Sequence, residues 1–354
     1  MLYCNHKQTF ARYITMKHTV LVTIPDGDVK DTFLTPDVKE YLEANFTVKY
    51  NPLGRAYTQD EYKKELLDAD FALGSWGSPE LNEYVLEGND RFKMFAYTAG
   101  SLASCTTPAV WEKGVKVSGG NELFAESVAE ATIVYIITAL RGIYDDIFSI
   151  RNGGWKSPLV KDTRGIPDRE IGIIGCGAVA RHVMRLLQPF RCSFKVAADY
   201  TVDEAYLKSV NARQVTMEEV FSTCEIVSLH LSLTPQSRGT IGGKYFEMLP
   251  QNAVFVNTAR GAILHEDEMT EVLKNRPDIK AVLDVFEKEP LPLDSELRTL
   301  PNVYCLPHRG GPTIDRRRYI GRAMIDELIR FEKGEPLKYE ITAAAASRMT
   351  TGKK

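Results

Sequence analysis

The strongest constraint on the fold is an alternation of short β-branched segments with helical segments, which occurs in two series along the 354-residue chain. The first series predicts five strands within residues 18–119, each bounded by Gly, Pro, Asn or Ser and separated by helices. The second series begins at residue 170 and predicts six strands, the last ending near residue 308. Strands that alternate with helices form parallel sheets with both faces covered. The chain is therefore predicted to be α/β, with two doubly wound parallel-sheet domains.

A long apolar helix is predicted between the two series. Over residues 121–141 the apolar side chains recur every three or four residues and almost encircle the last turns, so this helix must be covered by another domain or by a second subunit. Its most apolar run, residues 131–140, is much shorter than the ~20 residues of a membrane span. A second long helix is predicted over residues 313–335, and the tail after residue 342 is predicted to be disordered.

Charge and cysteine usage narrow the functional class. The 47 acidic and 44 basic residues give a net charge of −3, which argues against a dedicated nucleic-acid binder. Six scattered cysteines without a C-x-x-C pair are typical of reduced intracellular thiols, and neither Cys nor His shows metal-ligand spacing. A cytoplasmic protein without a metal is expected. Residues 1–16 are either a weak targeting segment or a simple extension, and the low Arg and Ser content favours the extension.

A glycine-rich turn predicts a dinucleotide site at the start of the second series. Gly175, Gly177 and Ala180 form G-x-G-x-x-A between a strand and a helix, and residues 178–179 (Ala178 and Val179) open that helix. The first glycine makes the turn, the second admits a pyrophosphate, and the helix N-terminus favours its negative charge. Asp199 ends the next strand, 22 residues after Gly177, where its carboxylate accepts the ribose hydroxyls and repels a 2′-phosphate. NAD is therefore preferred to NADP.

Three later segments place ionisable residues at or beyond strand ends. Arg260 lies in NAVFVNTARGAIL, Glu287 and Glu289 lie in LDVFEKEPLP, and His308 lies in LPHRGG. Ligands of a doubly wound sheet bind at the carboxyl edge of its strands. Taken singly, each of these residues is more often a solvated surface group or a loop residue without a function.

Taken together and in this order, FAESVAE, IGIIGCGAVA, VSLHLSLTPQSRGTIG, FVNTARG, LDVFEKEP and LPHRGG resemble the D-isomer-specific 2-hydroxyacid dehydrogenase family over residues 17–340. The resemblance implies that Arg260 of N-x-x-R-G binds the substrate and that His308 of P-H-x-G-G is the acid/base. Glu289, immediately before a proline, is implied to support the histidine. Glu287 is interpreted as a surface acid.

The resemblance also implies a domain organisation. Residues 17–120 are expected to begin a flavodoxin-like substrate domain, into which a Rossmann NAD-binding domain is inserted at residues 121–311. Residues 312–342 are expected to return to the substrate domain, flanked by the extension 1–16 and the disordered tail 343–354. A homodimer is expected, with residues 121–141 in its interface.

Further ligand-binding residues follow from the same resemblance. Beyond the glycine-rich turn, the expected cofactor-binding residues are Thr234, Thr258, Ala259, Asp284 and Gly310, with Asp284 holding the nicotinamide carboxamide. The expected substrate-binding residues, besides Arg260, are Trp76, Gly77, Gly100 and Ser101. Trp76 and Arg309 are unusual in these loops, and so is the Ser-Leu-Ala-Ser-Cys segment after Gly100. Arg309 is either a solvated arginine or a contact for a second anionic group on the substrate.

The predicted function is NAD-dependent interconversion of a D-2-hydroxy acid and a 2-keto acid, with the small acid as the partner and neither nucleic acid nor membrane. Formate dehydrogenase is a second enzyme hypothesis, disfavoured because that branch carries Gln where this chain has Glu289. An NAD(H)-sensing protein of the C-terminal-binding-protein type is a hypothesis from another class, since such proteins keep the same Arg, Glu and His.

Overall fold

A computed structural model describes residues 17–160 and 163–350 of the chain. Its first sheet has five parallel strands in the order β2-β1-β3-β4-β5, the flavodoxin-like order. The strands are β1 (Thr19–Val22), β2 (Thr47–Tyr50), β3 (Phe71–Gly74), β4 (Met94–Tyr97) and β5 (Lys116–Gly119). The helices between them are α1 (Asp28–Phe33), α2 (Pro36–Asn45), α3 (Gln59–Leu66), α4 (Glu83–Leu86) and α5 (Ala109–Glu112). Every residue of β3 and β4 is buried, because helices cover both faces.

Two consecutive helices join the sheets. The long helix α6 (Asn121–Arg141) has the bounds predicted from the sequence and ends at Gly142, whose φ of 66° is left-handed. The helix α7 (Ile143–Arg151), which the sequence analysis did not predict, follows at once. By length and composition alone α6 could cross a membrane, but 56% of its most apolar window is buried inside the protein. That burial is typical of a core helix.

The second sheet has seven parallel strands in the order β12-β11-β10-β9-β6-β7-β8. The strands are β6 (Glu170–Ile174), β7 (Ser193–Ala197), β8 (Ala212–Gln214), β9 (Ile226–Leu229), β10 (Val254–Asn257), β11 (Lys280–Leu283) and β12 (Val303–Cys305). The helices are α8 (Ala178–Leu186), α9 (Glu204–Ser209), α10 (Met217–Thr223), α11 (Gly243–Met248) and α12 (Glu266–Asn275), with short 3-10 turns at Gln188–Phe190, Gly261–Ile263 and Glu296–Arg298. Separate apolar cores fill its two faces. The predicted class, two doubly wound parallel sheets, is confirmed.

The chain then returns to the first sheet. The helix α13 (Ile314–Glu332) packs on α1, α2 and β4, and its Glu327 is 1% exposed. The carboxylate of Glu327 accepts hydrogen bonds from Ser118 Oγ on β5 at 2.9 Å and from the backbone N–H of Tyr339 at 2.9 Å. Ile341 N then donates to Val117 O, so the returning strand-like segment runs along the edge strand β5.

The C-terminal segment differs from its prediction. Residues 343–350, expected to be disordered, include the short helix α14 (Ala343–Ala346). Ala346 is buried in the core of the first sheet, and the Thr342 side chain caps the helix. A few small side chains against an existing core were enough to order a segment that has no apolar periodicity. Residues 351–354, and the extension 1–16, lie outside the described residues.

Candidate active site

The strand orders place two crevices at the carboxyl edges of the sheets. The order reverses between β1 and β3 in the first sheet and between β6 and β9 in the second, and ligands bind at such reversals. One residue connects the loops of both sheets. Thr350 O accepts a hydrogen bond from Ser101 Oγ after β4 at 2.7 Å, and Thr350 Oγ1 accepts one from Leu233 N after β9 at 3.2 Å. The two edges therefore meet in a common cleft.

The turn after β6 has the shape that a pyrophosphate requires. At Gly175, where φ is +92°, a Cβ would lie 2.8 Å from His230 O, so only glycine fits. At Gly177 a Cβ would meet no atom of the described residues within 4 Å, which leaves open space at the start of α8. No side chain of the described chain caps this N-terminus, and Ala178 and Val179 in its first turn are only partly buried. Free N–H groups and open space fit a bound dinucleotide.

The ribose end of the predicted dinucleotide site includes residues that the sequence analysis missed. Asp199 is exposed, two residues after β7, as the prediction requires. The next residue, Tyr200, donates from its hydroxyl to Cys176 O at 3.0 Å, and Arg181 Nε donates to the same carbonyl at 3.2 Å. Arg181 also stacks on the Tyr206 ring, 3.9 Å from its centre. An aromatic residue directly after the acid was the only signal in the sequence for this arrangement.

The other predicted cofactor residues lie along the same edge. Thr234 closes a turn with Ser237, whose Oγ accepts from Thr234 N at 2.8 Å. Thr258, at the end of β10, is buried and its hydroxyl lies 3.0 Å from that of Thr132 on α6, while Ala259 N donates to Asn257 Oδ1. These bonds fix the ends of β9 and β10 beside the glycine-rich turn.

His230 was interpreted from the sequence as a core histidine with its hydrogen bonds satisfied. Only one of its two ring nitrogens has a hydrogen-bond partner among the described residues. Its Nε2 lies 2.9 Å from Ser228 Oγ, while its buried Nδ1 has no hydrogen-bond partner among the described residues. Burial lowers the pKa of His230 to about 3, so its ring is neutral. It lies directly beneath the Gly175 turn.

Arg260 is held by tight packing of the residue that follows it. A Cβ on Gly261 would lie 1.9 Å from the carbonyl carbon of Phe286, so the Arg260 loop packs directly on the backbone of the loop that carries Glu289. The Arg260 guanidinium donates to Ala259 O at 2.6 Å. Burial lowers the pKa of Arg260 and the negative charge of Glu289 acts against this, but an arginine remains charged.

Glu289 and His308 form a direct pair. His308 Nδ1 lies 2.8 Å from Glu289 Oε2, and the other carboxylate oxygen of Glu289 accepts from Phe286 N at 3.1 Å. The carboxylate thereby orients the imidazole, an arrangement that can serve as an acid/base pair. His308 has a positive φ of 53°, and its side chain is 48% exposed on the cleft side of the pair. Glu287, interpreted as a surface acid, is exposed.

Asp284 anchors the loop that follows His308. It is 1% exposed, and its two carboxylate oxygens accept hydrogen bonds from Arg309 N and Gly310 N, both at 2.7 Å. Burial raises the pKa of Asp284, whereas the two N–H groups and the charge of His308 act in the opposite direction. The sequence analysis expected Asp284 to hold the nicotinamide. In the structure its carboxylate also fixes the backbone of the loop after His308.

The predicted substrate residues lie at the edge of the first sheet. Trp76 and Gly77 follow β3, and the Trp76 ring is 39% exposed with the Phe124 ring edge-on at 5.5 Å. Gly100 follows β4, and a Cβ there would lie 3.5 Å from Phe124. Within the described residues, the N–H groups of Gly100 and Ser101 donate to no protein atom. They are therefore available to an anion.

The turn of Gly175 and Gly177 with the start of α8 forms a dinucleotide cradle. Together with two doubly wound sheets and with Arg260, Glu289 and His308 at one edge, it is typical of a two-domain, NAD-binding oxidoreductase. Comparison with known proteins supports this class. Residues 133–310, half of the chain, match the family described as "D-isomer specific 2-hydroxyacid dehydrogenase, NAD binding domain". The chain belongs to the D-isomer-specific 2-hydroxyacid dehydrogenase family.

Individual relatives agree with that assignment. The D-3-phosphoglycerate dehydrogenase of Methanocaldococcus jannaschii is 28% identical over 279 residues, covering 78% of this chain; the chain spans about half of that relative, 52%. Glyoxylate/hydroxypyruvate reductase B of Citrobacter koseri is 27% identical over 320 residues, covering 85% of this chain and 93% of the relative. The apo structure of Rhodotorula graminis D-mandelate dehydrogenase shares the fold, with a TM-score of 0.77 at 20% identity over 92% of this chain and 98% of that one.

The described residues contain no group of three or more His, Cys, Asp or Glu side chains that could hold a metal ion. Five cysteines of this part of the chain are free thiols, four of them buried.

Proposed function

We propose that this protein interconverts a D-2-hydroxy acid and the corresponding 2-keto acid, with NAD(H) as cosubstrate. The observation that carries the proposal is the 2.8 Å bond between His308 and Glu289, beside the half-buried Arg260 and at the same sheet edge as the dinucleotide cradle. A guanidinium, a carboxylate-supported imidazole and a hydride carrier are the groups that reduction of a keto acid requires.

Each residue has a distinct part in this chemistry. NADH, when held at the glycine-rich turn of Gly175 and Gly177, would supply the hydride. Arg260 offers a planar set of donors that holds the carboxylate and carbonyl oxygens together. His308 Nε2 gives a proton to the developing alkoxide, and its Nδ1 is fixed by Glu289. The N–H groups of Gly100 and Ser101 bind the substrate carboxylate from the first domain.

The cofactor is assigned to the second domain. Gly175 and Gly177 leave room for the pyrophosphate. The Asp199 carboxylate accepts hydrogen bonds from the ribose hydroxyls and repels a 2′-phosphate, which favours NAD over NADP. The other expected cofactor contacts are assigned from their positions along the same sheet edge, and they are Ala178, Val179, Thr234, Thr258, Ala259, Asp284 and Gly310. The boundaries proposed for the domains are 17–120 with 312–342 for the substrate domain and 121–311 for the NAD-binding domain.

We also propose a homodimer. Seven large apolar side chains on α6, α7 and the segment after α7 are at least 41% exposed. They are Val134, Ile143, Ile147, Phe148, Ile150, Trp155 and Leu159. Large apolar side chains exposed so near one another in the sequence are typical of a protein interface. A second copy is the occupant expected for a soluble dehydrogenase; a cytoplasmic location, without membrane or nucleic-acid partners, is proposed on the free cysteines and the charge balance.

The test is a substrate panel with purified protein and NADH: glyoxylate, hydroxypyruvate, pyruvate, 2-ketoisocaproate and 3-phosphohydroxypyruvate. We expect at least one to be reduced, and the product to be the D-isomer wherever it is chiral. Arg260→Lys keeps the charge and loses the planar set of donors, so both KM and kcat should worsen. Bound NADH with no turnover of any acid would overturn the proposal and favour an NAD(H)-sensing protein.

A further inference from the structure

Three consecutive arginines open helix α13, and they differ in their partners. Arg316 pairs with Glu126 at 2.8 Å and Arg318 pairs with Asp37 at 2.6 Å. Arg317, between them, has no carboxylate within ion-pair distance in the part of the chain that the structure describes. A cation that is left without an acid while its neighbours are neutralised is available to an external anion.

Aromatic rings and one carbonyl hold Arg317 in place. Its Nε donates to Pro312 O at 3.2 Å, and its guanidinium carbon lies 5.1 Å from the centre of the Trp76 ring and 6.0 Å from that of Phe33. Such stacking orients a guanidinium without neutralising it. Trp76 therefore positions Arg317 at the substrate side of the first domain.

A second arginine, Arg309, lies three residues before Pro312, whose carbonyl holds Arg317. Arg309 follows His308 directly, and its N–H is held by Asp284, so its place is fixed to the candidate acid/base. Its side chain is exposed and pairs with no carboxylate among residues 17–160 and 163–350. Burial lowers the pKa of Arg317, and the positive charge of Arg309 lowers it further. Two arginines without a carboxylate partner in the described residues can together bind an anion.

The two arginines border the candidate substrate pocket. The Trp76 ring contacts Phe124, which in turn lies beside Gly100 of the loop that binds the substrate carboxylate in the proposed function. Arg309 directly follows His308 and borders the same cleft. Arg317, through Trp76, and Arg309, through its neighbour His308, therefore both border the candidate substrate site.

We propose that Arg309 and Arg317 form a subsite for a second anionic group, a carboxylate or a phosphate, at the end of the 2-keto acid away from its carbonyl. This inference rests on the proposed function and names the substrate class: keto acids with two anionic groups. The arginines complement the second anion, and Trp76, on which Arg317 stacks, supplies an apolar wall beside it.

The experiment compares kcat/KM for monoanionic and dianionic keto acids with NADH. Pyruvate and hydroxypyruvate are the monoanions; oxaloacetate and 2-ketoglutarate carry a second carboxylate, and 3-phosphohydroxypyruvate carries a phosphate. We expect wild type to have a higher kcat/KM for at least one dianion than for the monoanions. Comparing the two dicarboxylates with 3-phosphohydroxypyruvate shows whether the second anionic group is a carboxylate or a phosphate. Arg309→Met should lower the dianion-to-monoanion ratio by about 10- to 100-fold, since a charge-assisted contact is lost.

Two further variants sharpen the result. Arg309→Glu should reverse the preference in favour of the monoanions. Arg318→Met, an exposed arginine of the same helix that pairs with Asp37, is the matched control and should leave the ratio unchanged. Arg309 is exposed, so its substitution leaves the core intact, and thermal melting checks this.

Binding measurements keep the two proposals separate. The dissociation constants of pyruvate and 2-ketoglutarate are measured by calorimetry with NADH-loaded protein, wild type and Arg309→Met. Loss of dianion selectivity in the variant supports the subsite even if no acid is turned over, a result that would defeat only the proposed function. Equal selectivity of wild type, Arg309→Met and Arg318→Met would overturn the subsite while reduction of monoanions continued.

Discussion

At the scale of single residues, close contacts hold the backbone of the loops that carry Arg260 and Glu289. Gly261 touches the peptide between Phe286 and Glu287, and Glu289 is held by Phe286 N on one oxygen and by His308 on the other. Arg260 and Glu289 are thus fixed by one pair of packed loops. The relative position of guanidinium and carboxylate is set before any ligand binds, as preorganised catalysis requires.

Replacing that glycine tests this dependence. In Gly261→Ala the new methyl group would overlap the Phe286 backbone, so the loops must separate. We expect a loss of about 1–3 kcal/mol of stability and at least a tenfold fall in kcat/KM. Urea unfolding and steady-state kinetics measure the two. Gly54→Ala, at an exposed glycine with open space around it, is the control; equal behaviour of the two variants would contradict the packing argument.

The sequence predicted some residues of the candidate site and gave no signal for others. Arg260, Glu289 and His308 were predicted because each lies in a characteristic segment at the end of a strand. The stacking of Arg317 on Trp76 joins residues 241 positions apart, and no local pattern signals it. The bond from Ser101 to Thr350 is of the same kind, because it depends on where a tail with small side chains comes to lie.

At the scale of secondary structure, the elements that carry the site were predictable and the surface elements were not. α6 was predicted with its bounds because its apolar side chains recur at helical spacing and Gly142 ends it. The strand β8 has three residues, none of them buried, and offered no pattern. α7 was missed because its apolar residues face outward, so their spacing does not describe a core.

One ion pair joins two helices that cover the first sheet. Asp37 on α2 accepts hydrogen bonds from Arg318 on α13, and this bond, with that of Thr35, lowers the pKa of Asp37 from 3.8 to about 2. A group whose pKa is lower in the folded protein stabilises it above the unfolded pKa, and that contribution is lost as the pH falls through the folded value. The pair is exposed, so the effect is small.

Because the pKa of Asp37 is lowered in the folded protein, the stability that the ion pair contributes should depend on pH. Asp37→Asn should be slightly less stable than wild type at pH 6, and the difference should shrink as the pH falls from about 4 to 2. Urea midpoints across this range measure it. Arg318→Met removes the same pair and should show the same pH dependence; a difference that persists at the acid end would contradict the assignment of the pair.

At the scale of the whole molecule, the exposed apolar side chains of α7 and of the segment after it are the strongest sign of an assembly. Phe148 is 71% exposed and Trp155 is 79% exposed, far more than a stable soluble surface usually allows in one region. We expect a dimer by sedimentation at about micromolar concentration. Phe148→Asp should shift it towards the monomer. Leu293→Asp, which changes a 92% exposed leucine elsewhere, should stay dimeric, and a monomeric wild type would contradict the interface.

The two sheets also define how the molecule works as a unit. In the proposed function, the second sheet carries the dinucleotide site and the acid/base pair, and the first carries the loops whose N–H groups donate to no atom of the described residues. Closure of such a cleft excludes water from the reacting centre. This division was predictable from the two series of strands, whereas the meeting of the edges through Thr350 was not.

The most direct test of the central claim is the rate of NADH-dependent keto-acid reduction in wild type and in His308→Ala, together with NADH affinity measured by fluorescence. Removing the proton donor should lower kcat by about 10²- to 10⁴-fold while NADH still binds, because His308 lies outside the pyrophosphate cradle. Glu289→Gln should lower kcat less, since it keeps the shape and loses the charge. A His308→Ala protein that reduces the same acid at the wild-type rate would show that the proton comes from elsewhere.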